Sequence, residues 1–137
     1  VPAAEILPNN CDLYALPWKG RTVEEFISTR GIMKLHEDRS GRYRSVKEIA
    51  VKSNFDAVAA DTMLAFGKEL RLAIEIYLLP FAPDAIILGG SISRSSETFL
   101  PAMRSGPLGL AGVLKISSHF ENTALLGAMA DWLRRRD

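Results

Sequence analysis

The chain has one cysteine, Cys11, in 137 residues. A lone thiol supports neither an intrachain disulfide framework nor a cysteine-rich metal site. Net charge is nearly absent too. The 17 Lys and Arg residues stand against 16 Asp and Glu, so no global field steers the molecule to nucleic acid or lipid. No apolar run is long enough for a membrane span, because the longest apolar region, around Leu72 to Phe81, contains Glu75. No signal peptide, internal repeat or low-complexity segment is visible. A reducing, cytoplasmic setting is the expectation. The first residue is Val1 rather than methionine, and the chain reads as a trimmed piece of something longer. His36, beside Glu37 and Asp38, has no second histidine at ligand spacing, so a solvated turn is expected there and not a metal site.

What is present fits one soluble globular domain. Hydrophobic residues make up 47% and charged residues 24%, enough for a real core without the bias of a disordered tail. Val1 to Lys19 carries three prolines and reads as edge or loop structure, closed by Gly20. Thr22-Val23-Glu24-Glu25 is a capping-box pattern, predicting a helix from about Thr22 with Gly31 inside it or marking a break. His36 to Arg42 is polar and reads as a loop. Ser45-Val46-Lys47-Glu48 opens a second, short helix that ends near Ser53-Asn54.

Asp56 is expected to cap a long helix reaching about Leu79. Val58, Met63, Phe66, Leu70, Ala73, Ile74 and Tyr77 recur along it at helical spacing. Its second half is apolar nearly all round, which predicts cover on most sides. Pro80 and Pro83 end it. A helix follows from about Ser95 to Met103, then a loop at Ser105-Gly106-Pro107 and Gly109, then a half-buried strand from Val113 to Ser118. Asn122 caps a last helix with Leu125, Met129, Trp132 and Leu133 on one stripe. Gly127 within it implies close packing. The Arg134-Arg135-Arg136 run suits a helix C-terminus. The ending strand, helix, strand, helix implies a parallel strand pair.

Between the long helix and the Ser95 helix lies Pro83-Asp84-Ala85-Ile86-Ile87-Leu88-Gly89-Gly90-Ser91-Ile92-Ser93. A turn signal, a short apolar run and a Gly-Gly pair predict a buried strand ending in a tight turn that leads into a helix. Such a turn offers free N–H groups and bare backbone, a good surface for a nucleotide. Taken alone, the plainer reading is a packing turn.

This stretch resembles the strand and adenosine-side Gly-Gly loop of the ROK family (repressors, open reading frames and sugar kinases). Val23 to Ile32 is similar to a helix of that family. The long helix ending in Phe81-Ala82-Pro83-Asp84 matches the one before the Gly-Gly strand, and Glu121-Asn122-Thr123-Ala124-Leu125-Leu126-Gly127-Ala128 resembles the family's closing helix. The resemblance implies a helix-rich α/β fold, the C-terminal lobe of the actin-like, hexokinase-type (ribonuclease H-like) ATPase fold, with a small mostly parallel sheet. It places Gly89, Gly90, Ser91 and Ser93 at ATP, bound with Mg²⁺ in the full-length parent. Glu5 stands where the family's sugar-binding glutamate would be. The Gly and His expected beside it are absent and Cys11 stands alone, so zinc is not expected.

The family's phosphate loops and catalytic aspartate fall upstream, and no Asp here matches that motif. The fragment is therefore expected to be inactive alone. Its expected role is the nucleotide-side lobe of a kinase for a hexose or amino sugar, partnered by a missing N-terminal lobe. An alternative is the sugar-sensing and dimerisation domain of a ROK-type repressor; a second is an unrelated small α/β interaction domain. A homodimer is expected in either family reading, with the final helix and the Val1–Trp18 segment as candidate surfaces. For Trp132 the plainer place is the core.

Overall fold

The computed structural model describes residues 13–106, 108–118, 129–130 and 133–134. A turn of 3-10 helix, Leu13–Ala15, leads into a hairpin of β1 (Pro17–Trp18) and β2 (Arg21–Thr22). Helices α1 (Val23–Phe26), α2 (Thr29–Ser40), α3 (Val46–Lys52) and α4 (Ala57–Tyr77) follow. Next come β3 (Ile86–Leu88), a 3-10 segment Ser91–Ser95, α5 (Ser96–Arg104), α6 (Leu108–Val113) and β4 (Leu114–Ile116). The arrangement is the helix-rich α/β one the sequence predicts.

Helix starts are set by side chains that satisfy the free N–H groups of a first turn. The Asp56 carboxylate accepts from the Val58 and Ala59 amides at 2.9 and 3.3 Å, opening α4. Ser45 Oγ accepts from the Glu48 amide at 3.3 Å, while the Glu48 carboxylate accepts from the Ser45 amide at 2.8 Å. The same reciprocal box joins Thr22 and Glu25 at α1. Hydrogen bonding from the Ser45 backbone holds the Glu48 carboxyl below its ordinary range, and the Thr22 backbone does the same for Glu25. Both groups sit lower in the folded than in the unfolded chain. Their contribution is present above the unfolded carboxylate range and lost as pH falls through the folded one. A carbon-13 titration of Glu48 is expected to give a midpoint below that of free glutamate, with amide exchange of α3 quickening on acidification. A midpoint at or above the free value contradicts the box.

The predicted first helix breaks, but not at Gly31. It stops at Ile27, and Ser28 caps a new helix by accepting from the Gly31 amide at 3.1 Å. A Cβ at Gly31 would lie 2.6 Å from the Phe26 carbonyl oxygen, so the absence of a side chain lets α2 fold back tightly on α1. The polar stretch expected as a loop is instead the end of α2, which runs to Ser40 and closes at Gly41 in a left-handed conformation. Lys34 pairs with Asp38 one turn along. His36 is not in a solvated turn. It is 1% exposed, and its Nδ1 lies 3.2 Å from the Arg42 carbonyl and 3.1 Å from Ser40 Oγ, so it ties the helix end to the chain that follows.

Helix α4 is the spine. It buries Ala59, Met63, Phe66, Gly67, Ala73 and Ile74, at steps of three, four and seven. Thr62 is buried as well, its hydroxyl donating to the Val58 carbonyl at 2.7 Å. Helix α5 packs along it through Phe99, Leu100 and Met103, joined by Ile32, Ile49, Ile86 and Leu110 in one core. Phe66 and Phe99 meet edge to face, with centroids 5.1 Å apart and planes at 87°. Each such buried aromatic stabilises by about 1.5–3 kcal/mol relative to exposure.

A second, smaller cluster holds the hairpin against α4. Leu16, Trp18 and Val23 bury with Ala73. Trp18 Nε1 donates to Glu69 at 2.8 Å, Lys19 pairs with the same carboxylate, and the Tyr77 hydroxyl donates to the Pro17 carbonyl at 2.5 Å. Trp18, the last residue of the Val1–Trp18 segment read as a candidate dimer surface, is thus turned inward. Among the described residues the second half of α4 is covered on two sides. Leu70 and Ile74 face the main core and Ala73 and Tyr77 face the hairpin, which leaves Ile76 55% exposed.

Strands β3 and β4 pair in parallel as expected, with Ile86 opposite Leu114 and Leu88 opposite Ile116. The predicted loop after Gly106 contains α6, because burial of Leu110 in the main core outweighs the poor helix propensity of its glycines. The expected closing helix, with Leu125, Gly127 and Trp132, lies outside the described residues, save that residues 129–130 and 133–134 are helical.

Candidate functional site

The parallel pair fixes where the chain turns. Strand β3 ends at Leu88, and Gly90 sits at φ 77° and ψ 178°. That conformation is essentially confined to glycine, so the second residue of the Gly-Gly pair is required by the backbone itself. Among the described residues nothing lies within 4 Å of where its Cβ would point. The turn therefore meets no packed neighbour among the described residues.

The two serines after it part company. Ser93 is 1% exposed; its hydroxyl donates to the Gly90 carbonyl at 2.6 Å and its amide to the same oxygen at 3.2 Å. It holds the turn from beneath. Ser91 is exposed and lines an open cavity of about 760 Å³. Ile92, Ser95 and Thr98 continue that wall, and the Thr98 hydroxyl donates to the Ser95 carbonyl at 2.6 Å.

The opposite wall is α3. Val46 and Ala50 line the cavity one turn apart, Val51 beside them, and Asn54 lies one further step of four just past the helix end. Lys47 on α3 and Arg94 and Glu97 on the facing wall place charge at the rim. The space thus has an apolar stretch, a hydroxyl-bearing edge and cations, the mixture a nucleoside phosphate needs. A second hollow of about 460 Å³ between α2 and α4 sets Val58, Leu64 and Ala65 beside Arg39, Asp61 and Lys68, with no hydroxyl-bearing residue in its lining.

The structure thus places Ser91 on the cavity wall, while Gly89 and Gly90 precede it in the turn after β3 and are not in that lining. Ser93 stays below it. Glu5 and Cys11 lie outside the described residues. Among the described residues no group of three His, Cys, Asp or Glu is placed to hold a metal ion, and no helix is long and apolar enough to cross a membrane. Sequence reasoning did not find the α3 wall. Its signal, Val46, Ala50 and Asn54 at steps of four, is the same as that of any face packed on a core.

Comparison with known proteins bears on the fold and the family. No curated protein matches the chain by sequence. The crystal structure of a putative sugar kinase from Cytophaga hutchinsonii superposes on 93% of this chain with a TM-score of 0.76 at 17% identity. The chain spans 50% of that protein's length. The ROK family model matches residues 17–130, which include the hairpin, the α4 spine, the α3 wall and the Gly-Gly turn. The chain belongs to the ROK family.

Proposed function

We propose that this chain is the nucleotide-side, C-terminal lobe of a sugar kinase, which works with a second lobe to phosphorylate a hexose or amino sugar. The observation that carries the reading is the glycine-only turn at Gly90, which leads directly into Ser91 on the wall of the α3 cavity. Bound ATP would supply the phosphoryl group. The residues present fit its nucleoside end. The bare backbone of Gly89 and Gly90 would admit a ribose closely beside the exposed Ser91 hydroxyl, and Val46, Ala50 and Val51 give a base an apolar face. Lys47 adds a cation at the rim.

The same residues do not supply transfer chemistry. Phosphoryl transfer needs groups that neutralise developing charge and a base for the attacking hydroxyl. In this reading the second lobe brings those and the Mg²⁺ site, and Glu5 contributes to sugar binding. Isolated, the lobe binds nucleotide weakly and turns nothing over.

The two-lobed protein is expected to consume ATP only when a hexose or amino sugar is present. Gly90→Val forces a β-branched residue into a conformation that costs about 1–3 kcal/mol. It is expected to raise KM for ATP about tenfold or more and leave KM for the sugar unchanged. An unchanged KM for ATP, in a variant whose melting temperature shows it folded, contradicts the placement. Absent turnover with a sugar-dependent rise in melting temperature would replace the kinase reading with the sensor one.

A further inference from the structure

We propose that the outer face of α3 docks a short acidic segment of a partner protein. A large apolar side chain of that segment sits against Phe55, and its carboxylates meet Arg44, Lys47 and Lys52. The hollow concerned is not the one beside the Gly90 turn, although Lys47 and Val51 border both. The proposal stands without the nucleotide reading.

The face is built by spacing along one short helix. Lys47 and Val51 lie one turn apart on α3, Glu48 and Lys52 form the row beside them, and Phe55 follows in the turn after the helix end. Together they border an open hollow of about 420 Å³, room for one large side chain. Phe55 is 73% exposed and Val51 56%. Two large apolar side chains left in water around one hollow mark a docking surface rather than scattered surface residues.

Charge says what docks there. The chain as a whole is nearly neutral, yet from Arg44 to Lys52 three cations stand against one acid. That acid, Glu48, already accepts from the Ser45 amide and hydroxyl at 2.8 and 2.7 Å. The face therefore offers positive charge around an apolar centre, and its complement is carboxylates around an apolar side chain. The Lys52 ammonium stands 5.4 Å from the centre of the Phe55 ring, so cation and ring act at one place. The same contact argues against a nucleic acid, because a ring face that holds an ammonium is not an open platform for a base. A hollow also suits an inserted side chain better than a lipid surface, into which apolar groups must protrude.

The probe is a fluorescein-labelled peptide with glutamates on both sides of a single tryptophan, titrated with the full chain at low salt and read by anisotropy. Saturable binding is expected, with the largest amide shifts at Val51, Lys52 and Phe55. Replacing the tryptophan by serine, or Phe55→Ser in the chain, is expected to weaken binding about tenfold, and Lys52→Glu to do the same. Lys52→Glu is also expected to bind the peptide with lysines in place of glutamates more tightly than the unaltered chain does, a gain that a misfolded variant would not show. No saturable binding, binding indifferent to Phe55→Ser, or shifts centred on Ser91 and Thr98 overturns the proposal. So does an oligothymidylate or a phosphatidylserine vesicle that binds this face more tightly than the peptide. Binding by this chain that is lost in the two-lobed protein would mean that the second lobe covers α3, and overturns it as well.

Discussion

Phe99→Ala lowers the stability of the folded chain by about 3–5 kcal/mol. Phe99 is fully buried in α5, and its ring meets Phe66 of α4 edge to face. Truncation removes the apolar surface, the ring pair and the filling of the space between the two helices. The neighbours relax only partly into the gap, because α4 is held on its other flank by the Trp18 hairpin. A domain of this size is stable by only about 5–15 kcal/mol, so the loss is a large share of the total. It is read as a fall in the urea midpoint at unchanged slope. A change under about 1 kcal/mol would mean that α5 is not seated on α4 as described. The effect reaches the candidate site because α5 carries Thr98 and follows directly from the Gly90 turn.

Gly67→Ala destabilises by about 2–3 kcal/mol, against the usual sign of that change in a helix. In an ordinary helix interior alanine is better than glycine by about 1 kcal/mol. Here a Cβ would overlap the Phe99 carbonyl oxygen and lie 3.0 Å from the Cβ of Ala102. Two helix backbones approach too closely for a methyl group, and the obstacle is main chain that cannot swing aside, so overpacking wins. Gly112 in α6 provides the contrast, since among the described residues nothing lies within 4 Å of its Cβ position. Gly112→Ala is expected to be neutral or to stabilise by up to about 1 kcal/mol. Thermal melts of the two variants check both signs. A stabilised Gly67→Ala variant would mean that α4 and α5 lie further apart than described.

The parts of this fold legible in the sequence are those set by local chemistry. Ser45 with Glu48, Thr22 with Glu25, and Asp56 each mark a helix start, because capping is settled within three residues. The long period of α4 and the strand ending in Gly-Gly are local in the same sense. The misread segments were decided by contacts far along the chain. Residues 36–42 look like a solvated loop, because Glu37, Asp38 and Arg39 hide the one buried residue, His36. The Gly-rich stretch after Arg104 looks like a loop, and only burial of Leu110 makes it helical.

The site divides in the same way. Gly90 was legible because its backbone conformation demands glycine. Ser91 and Ser93 could not be told apart, since only the path of the 3-10 segment sends one outward and the other under the turn. Asn54 precedes Gly90 by more than thirty residues and lies just past the end of α3, whose capping box marks where the helix starts but not what its open face lines. Its place opposite Ser91 comes from α3 packing beside α4 with the 3-10 segment across from it.

The central claim is that the space between α3 and the Gly90 turn takes a nucleotide. The most direct measurement is a map of amide chemical-shift changes along the chain on titration with ATP. The account predicts that the largest saturable changes fall at Ala50, Asn54, Gly90, Ser91 and Thr98, with little change at Arg39 or Lys68 beside the second hollow. Changes concentrated at Arg39, Asp61 and Lys68, or none that saturate, would contradict it.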